Sequence, residues 1–559
     1  MAAAPDSTYD FIICGGGTSG CVVAARLAED PNVKVLVLEA GPHNEHLENV
    51  HMVGGWSNNF DKETDWNVVS IPGPGVNNRS VKLSRGKFLG GSSGCNGTLM
   101  VKGMKQDYDD WNLPGWSGDD MFKYMLKAEN FHTKDWFKET KGAHGYEGHV
   151  HTEPHDLAPI SNLIGESMVS KGLLLTTTCS LLARTPTDAV TLDNLHLMVE
   201  THVDKVIIEK DGQGELKATG VRGVKADGSV VELKASKEVI ISSGAYCSPN
   251  VLNRSGIGAK VELEQHGITT LVDLPGVGKN LQDHLIVFMF YETDKEGLTT
   301  DSLVYHGNAL EKAYTQWKEE KKGPLTVFPF GIFAYARMDE RLADSKIWNA
   351  APRKEGRDPM GLTPKQPQIE FFTTECYGGP KQYDQFPIDN KHAFSMIAEL
   401  FAPKSRGTVT LRDASATSVP VVDCNYLSDP LDLEVLAEAC AFGNEIITEG
   451  SGTKDIVKGS WPSDLVHHKY KTREDWKEYV KDNATTCYHA SGSCAAGKKD
   501  NPMAVVDEKL QVYGVKGLRV ADCSIMPTVN NGHTQMPAYG IGEKAADLIK
   551  ERWALSAKL

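Results

Sequence analysis

The chain has 559 residues, 40% hydrophobic and 24% charged, long enough for two or more domains and ordinary in composition for a globular enzyme. Its net charge of −15 and pI near 5.7 argue against nucleic acid or an anionic membrane as the main partner. No apolar run approaches the roughly 18 residues that span a bilayer. The opening MAAAPDSTYD lacks the basic and apolar regions of a signal peptide. Eleven cysteines without CxxC or metal-like spacing fit a reducing compartment, so secretion is not expected. The sequons at Asn78, Asn96, Asn253 and Asn483 are then without consequence.

The first element is a buried-strand run, Phe11 to Cys14, that breaks into Gly15-x-Gly17-x-x-Gly20. Gly15 permits a tight turn, Gly17 lets backbone approach a pyrophosphate, and Gly20 allows close helix–strand packing. A helix over about Thr18 to Glu29 turns its positive end toward the phosphates. Val33 to Leu38 reads as the second strand, and Glu39 follows Gly20 by 19 residues, where a carboxylate accepts ribose hydroxyls. Strand, glycines, helix and acid together predict a dinucleotide site, with NAD and FAD both open.

Next comes RGKFLGGSSGCNGTLMVKG, Arg85 to Gly103, rich in glycine and able to present many backbone N–H groups. In HVHTEPH, alternation puts His149, His151 and Glu153 on one strand face, but Pro154 ends the strand and no further ligand stands close. That run is read as a solvated strand end, with no metal. Val239 to Ile241 predicts a strand that breaks at Gly244-Ala245 before a helix starting at Ser248-Pro249. LPGVGKNLQDH, Leu274 to His284, is a glycine-punctuated turn. ALEKAYTQWKEEKK and TREDWKEYVKDN read as exposed amphipathic helices, QIEFFTTE and RGTVTLRD as strands. The Pro- and charge-rich stretch 351–368 is expected to be a mobile loop bordering the substrate entrance. His467-His468 reads as a wet helix face. Near the end, a strand delivers Asp522, a loop carries His533, and a helix built on Tyr539 to Ile549 follows.

These segments, in this order and over nearly the whole chain, resemble the glucose–methanol–choline (GMC) oxidoreductases. The resemblance rests on GGGTSG with Glu39, RGKFLGGSSGCNG, GAYCSPNVLNRSGIG and the His489/His533 region. It implies an α/β fold: a Rossmann-type FAD-binding domain, discontinuous in sequence, plus an α+β substrate domain with an antiparallel sheet. The expected boundaries are 1–155, 195–290 and 487–559 for the FAD domain and 291–486 for the substrate domain. Residues 156–194 form a connection in which Gly172 to Asn194 is several tens of residues shorter than usual for the family. FAD is the implied cofactor. Its expected contacts are Gly15, Gly17, Thr18, Ser19, Gly20, Glu39 and Ala40 at the first motif. Arg85, Leu89, Gly90, Gly91, Ser92, Asn96 and Gly97 follow from the second. Val203, Ala245, Asp522, His533, Thr534 and Gln535 complete the set.

By the same resemblance His489, in CYHASGSCAAG, is the catalytic base, and His533, in GHTQMP, holds the substrate oxygen. An imidazole suits the first task because its pKa lies near neutrality. The expected reaction is oxidation of a primary alcohol to an aldehyde, with the proton taken by His489 and hydride passing to flavin N5. O2 or another acceptor would then receive the electrons, O2 giving H2O2. Formate oxidase activity is one alternative, although Gly532-His533 offers no fixed cation for an anion. A family member that keeps FAD for a non-redox step is another. The terminal Ala557-Lys558-Leu559 resembles a peroxisomal address, so an import receptor is an expected partner and the peroxisome an expected location, with the cytoplasm otherwise.

Overall fold

A computed structural model of the protein describes residues 8–173, 181–183, 192–379 and 390–555. The terminal Ala557-Lys558-Leu559 and most of the short connection between Gly172 and Asn194 lie outside the described residues. Where that connection ends, Asn194 Nδ2 donates to the carbonyls of Ala28, Asp30 and Val33 at 2.9–3.0 Å, fastening it to the N-terminal strand–helix–strand unit.

Phe11, Ile12, Ile13 and Cys14 are all fully buried, as an uninterrupted apolar run requires of a strand covered on both faces. Their strand, Thr8–Cys14, lies at the centre of a seven-stranded sheet. On one side it pairs in parallel with Val35–Leu38, which pairs in parallel with Leu195–Met198. On the other it pairs in parallel with Val230–Ile241. That long strand serves two neighbours: its first half runs antiparallel to Leu216–Lys225, and its last residues run parallel to Leu518–Val520. The sheet thus draws on the beginning, middle and end of the chain. The helix Thr18–Ala28 packs against the C-terminal helix Gln535–Trp553, joined by Arg26–Glu543 at 2.7 Å and by Ser19 Oγ donating to the Ala538 carbonyl at 2.7 Å.

A second, antiparallel sheet has the order Phe330–Ala336, Ile369–Thr374, His392–Leu400, Leu285–Thr293, Val457–Ser460. The helix Pro430–Glu449 covers one face, with Val435, Leu436, Ala439 and Ile446 fully buried. From the opposite face Ile286, Phe288, Phe372 and Ile397 line the molecule's cavity.

Several sequence expectations change. The helix placed at Ser248-Pro249 begins at Gly244 and runs to Arg254 with Pro249 inside it. Proline has no N–H for the Ala245 carbonyl, and the Ser493 hydroxyl donates to that carbonyl instead at 2.5 Å. The stretch 351–368 is anchored: Arg357 grips Asp110 bidentately at 2.7 Å, and Gln366 Nε2 reaches Asp107 at 2.9 Å. His467 is fully buried beside Tyr291, Trp476 and Tyr479, and burial pushes its pKa down to about 4. His468 meets Ser460 Oγ at 2.9 Å. His151 makes a 2.7 Å contact with His132 on a strand that ends at Pro154.

Candidate active site

One cavity runs from the first glycine turn to His489 and His533. At its far end Gly15 has φ +107°, and a Cβ there would meet the Ser242 carbonyl oxygen at 2.5 Å. The turn is closed to any side chain. A Cβ at Gly20 would collide with the Gly15 carbonyl, so Gly20 serves helix–strand packing and does not line the cavity. Gly17 does line it, and a Cβ there would find protein no nearer than 4.0 Å. That open space above bare backbone is what a pyrophosphate needs.

Glu39 leaves the end of Val35–Leu38 and accepts the backbone N–H groups of Gly16 and Gly41, both at 2.9 Å. Burial pushes its pKa up to about 7 despite those bonds. The carboxylate lines the cavity beside Ala40, with further acceptor capacity for ribose hydroxyls.

The second glycine-rich segment folds over the first. The Gly90 N–H donates to the Gly16 carbonyl at 2.7 Å, and Gly91, at φ +55°, abuts Gly17 so closely that a Cβ would stand 2.9 Å from its Cα. Of the residues expected to contact the cofactor from this segment, Arg85, Gly91, Ser92, Asn96 and Gly97 line the cavity, and Leu89 and Gly90 stand behind them. Gly91→Ala combines a disfavoured φ with that collision. It is expected to yield protein with markedly less bound dinucleotide, read from the absorbance of the purified material.

Thr18, Ser19, Val203, Ala245, Asp522, His533, Thr534 and Gln535 also face the cavity. Asp522 accepts the backbone N–H groups of Gly244 at 2.9 Å and Ser524 at 2.8 Å and the Ser248 hydroxyl at 2.6 Å, and so shapes the wall. Asn96 Nδ2 donates to Gln535 Oε1 at 2.9 Å, tying the second loop to the C-terminal helix. Along the same wall Asn250 Oδ1, Tyr246 OH and Thr98 Oγ1 are buried without a protein partner. Orphaned polar atoms of this kind suit a long ligand carrying donors and acceptors along its length.

At the other end the two predicted histidines meet. Their ring centroids lie 4.8 Å apart, edge to face. The backbone N–H of His489 donates to Asp283 Oδ1 at 2.8 Å, and Asp283 also accepts from Tyr426 OH and Thr486 Oγ1, both at 2.6 Å. His489 Nδ1 lies 2.9 Å from His284 Nδ1 and 3.2 Å from Glu399 Oε1. His533 Nε2 lies 2.8 Å from Glu370 Oε2 and 3.8 Å from Glu399 Oε2. With Nδ1 of His489 turned into this network, its Nε2 edge is left on the cavity side.

Glu370 and Glu399 had no place in the sequence reading. They stand directly opposite each other on neighbouring strands of the second sheet, both fully buried. Like charges so placed are destabilising, and His533, 2.8 Å from Glu370 and 3.8 Å from Glu399, stands close to both. Burial pushes Glu370 up, more than His533 draws it down. For Glu399, burial is outweighed by His533, His284 and His489, which hold it well below the usual carboxylate range. His533 is raised because Glu370 and Glu399 outweigh its burial. His489 goes the other way, pushed down to about 3 by burial, with Glu399 opposing. The environment thus separates two adjacent imidazoles into a neutral base and a charged donor. Among the described residues the ligand-capable side chains that converge are those around His489, such as His284, Glu399 and His489, within 4.8 Å of one another.

Comparison with known proteins places this geometry in a family context. A model described as GMC oxidoreductase, N-terminal part, matches residues 9–176 and 183–286, and its C-terminal counterpart matches 403–542. Dehydrogenase pkfF of Emericella nidulans is 31% identical, with 98% of this chain and 94% of that protein covered. Pyranose dehydrogenase 3 of Leucoagaricus meleagris is 30% identical over 98% and 94% of the two chains. Formate oxidase superposes with a TM-score of 0.90 at 28% identity, covering 99% of this chain and all of that one. A variant of the Aspergillus oryzae RIB40 formate oxidase, studied for its effect on FAD modification, matches equally well, with a TM-score of 0.90 at 28% identity over 99% and 100%.

Proposed function

The chain belongs to the GMC oxidoreductase family with FAD as its cofactor, and from that premise we propose that it oxidises a primary alcohol to an aldehyde. The observation that carries this reading is the pair itself: the His489 and His533 rings stand edge to face, centroids 4.8 Å apart, at one end of the cavity, with Glu399 and Glu370 behind them. The glycine turn, Glu39 and the orphaned wall atoms supply the fit for the dinucleotide, and the two histidines lie at the other end, where its reactive ring belongs. When bound, FAD accepts the hydride that leaves the carbinol carbon.

The protein supplies the rest. His489 Nε2 takes the hydroxyl proton while the carbon–hydrogen bond breaks and the carbonyl forms. Glu399 faces the opposite nitrogen and stabilises the imidazolium so produced. His533, anchored by Glu370, donates to the substrate oxygen as negative charge develops there. Phe333 and Phe372 stand edge-on to His533, with centroids at 6.2 and 6.0 Å, and limit the room for water beside it. O2 is the proposed final acceptor, giving H2O2.

A second reading has a specific observation in its favour. His533, raised by two carboxylates, presents the cation that the sequence failed to show, and a small carboxylate such as formate would pair with it. Anaerobic addition of substrates to the purified protein separates the readings. Bleaching of the flavin bands near about 450 nm by primary alcohols and not by formate supports the first; the reverse supports the second. Bands that persist with both overturn redox chemistry on either substrate.

A further inference from the structure

Successive residues of a strand face opposite sides, so the second sheet presents its side chains to the cavity in rows. Ile286, Glu399 and Glu370 are in register across three strands and form the row beneath the two histidines. Two residues along, Phe288, Ile397 and Phe372 form the next row, all three lining the cavity. At ~3.4 Å per residue the rows are about 7 Å apart. Phe328, Phe330 and Trp56 continue the second row into a wall. Phe328 and Phe330 have centroids 4.0 Å apart, Phe330 and Phe372 5.8 Å, and Trp56 and Phe328 5.5 Å. Phe372 also stands edge-on to His533 at 6.0 Å.

From this arrangement, and resting on the alcohol-oxidation reading above, we infer that the substrate is an aromatic primary alcohol whose carbinol carbon sits over the histidine row and whose ring lies on the phenylalanine row. A flat ring fills a slot walled by rings in edge-to-face contact. A sugar would bring several hydroxyls to a wall with few partners for them, each desolvated at a cost. A quaternary ammonium would gain from the aromatic faces. It would meet no facing carboxylate, because Glu370 and Glu399 are fully buried behind the histidines, and it would approach the charged His533. Formate or methanol would leave the phenylalanine row uncovered. The Trp56 indole N–H, buried in the same wall without a partner, suits a single acceptor on the ring such as a methoxy oxygen.

The test uses the purified holoenzyme, mixed anaerobically with benzyl alcohol, 4-methoxybenzyl alcohol, ethanol, glucose, choline and formate while flavin reduction is followed. Benzyl alcohol is expected to exceed ethanol in second-order reduction rate by about 10²-fold or more, with 4-methoxybenzyl alcohol at least as fast. Phe372→Ala, checked for retained flavin absorbance, is expected to lower the benzyl alcohol rate about tenfold or more, and Phe372→Leu to restore part of it. Faster reduction by ethanol, glucose or choline than by benzyl alcohol overturns the aromatic assignment and leaves alcohol oxidation standing. Reduction by formate alone, or by none of the six, overturns both.

Discussion

Replacing His489 by alanine is expected to lower alcohol turnover by about 10²- to 10⁴-fold while the protein keeps its flavin spectrum. Both halves follow from position. The ring stands in the cavity beside His533, and the glycine turn and Glu39 proposed to hold the dinucleotide are remote from it in sequence and make no contact with it. The loss should fall on kcat, because the base acts only as charge moves. The pH profile carries its own signature. His489, at about 3, is in its basic form over the whole working range, so the acid limb of kcat/KM should lie far below the usual imidazole value. His533 must keep its proton, and its pKa is raised, so activity should fall only as pH rises through a value above 6.5. Because the groups interact, these limbs belong to the cluster. An unchanged rate in His489→Ala would remove the residue from the mechanism.

Glu399→Gln should be nearly as damaging, costing on the order of 10²-fold in kcat with the side-chain volume kept. Glu399 faces three imidazoles: His284 at 3.1 Å, His489 at 3.2 Å and His533 at 3.8 Å. Its negative charge favours the protonated form of His489 and His533, so removing it lowers both pKa values. The alkaline limb should therefore move to lower pH in the variant. A purely structural role would reduce folded protein and leave the limb in place. Measuring kcat against pH with flavin content as the folding control distinguishes the two.

The parts of this site that rest on local chemistry were legible in the sequence. A strand running into Gly15-x-Gly17-x-x-Gly20 with Glu39 at its distance declares itself, because each residue acts on its chain neighbours or on one ligand. A glycine-rich loop does not reveal which of its residues face inward, and Leu89 and Gly90 lie behind the cavity lining that Gly91 and Ser92 form. Glu370 and Glu399 were invisible for a deeper reason. Each is a lone acid in an apolar strand, and IEFFTT and FSMIAEL read as ordinary alternation. Their meaning lies in the register that sets them opposite each other, and in histidines 90 to 163 positions away. His284 looked like the end of a turn until the fold brought it to His489 across 205 positions. His467 was misread for the same reason: His468 and Lys469 beside it are polar, and its neighbours in space are rings.

The central sheet sets a schedule for how the molecule comes into being. Thr8–Cys14 is among the first strands to leave the ribosome, but its partner Val230–Ile241 follows some 220 residues later, and that strand's own neighbour Leu518–Val520 some 280 later still. Ser19 closes on Ala538 across 519 positions. At roughly 5–20 residues per second, the first strand waits about half a minute to nearly two minutes before the last wall of its own nucleotide cavity exists. Through that interval Phe11, Ile12 and Ile13, which end fully buried, have only part of their final cover. The nascent chain thus carries an apolar strand with an open edge for most of its synthesis, first Thr8–Cys14 and then the end of Val230–Ile241, stretches that chaperones would be expected to shelter.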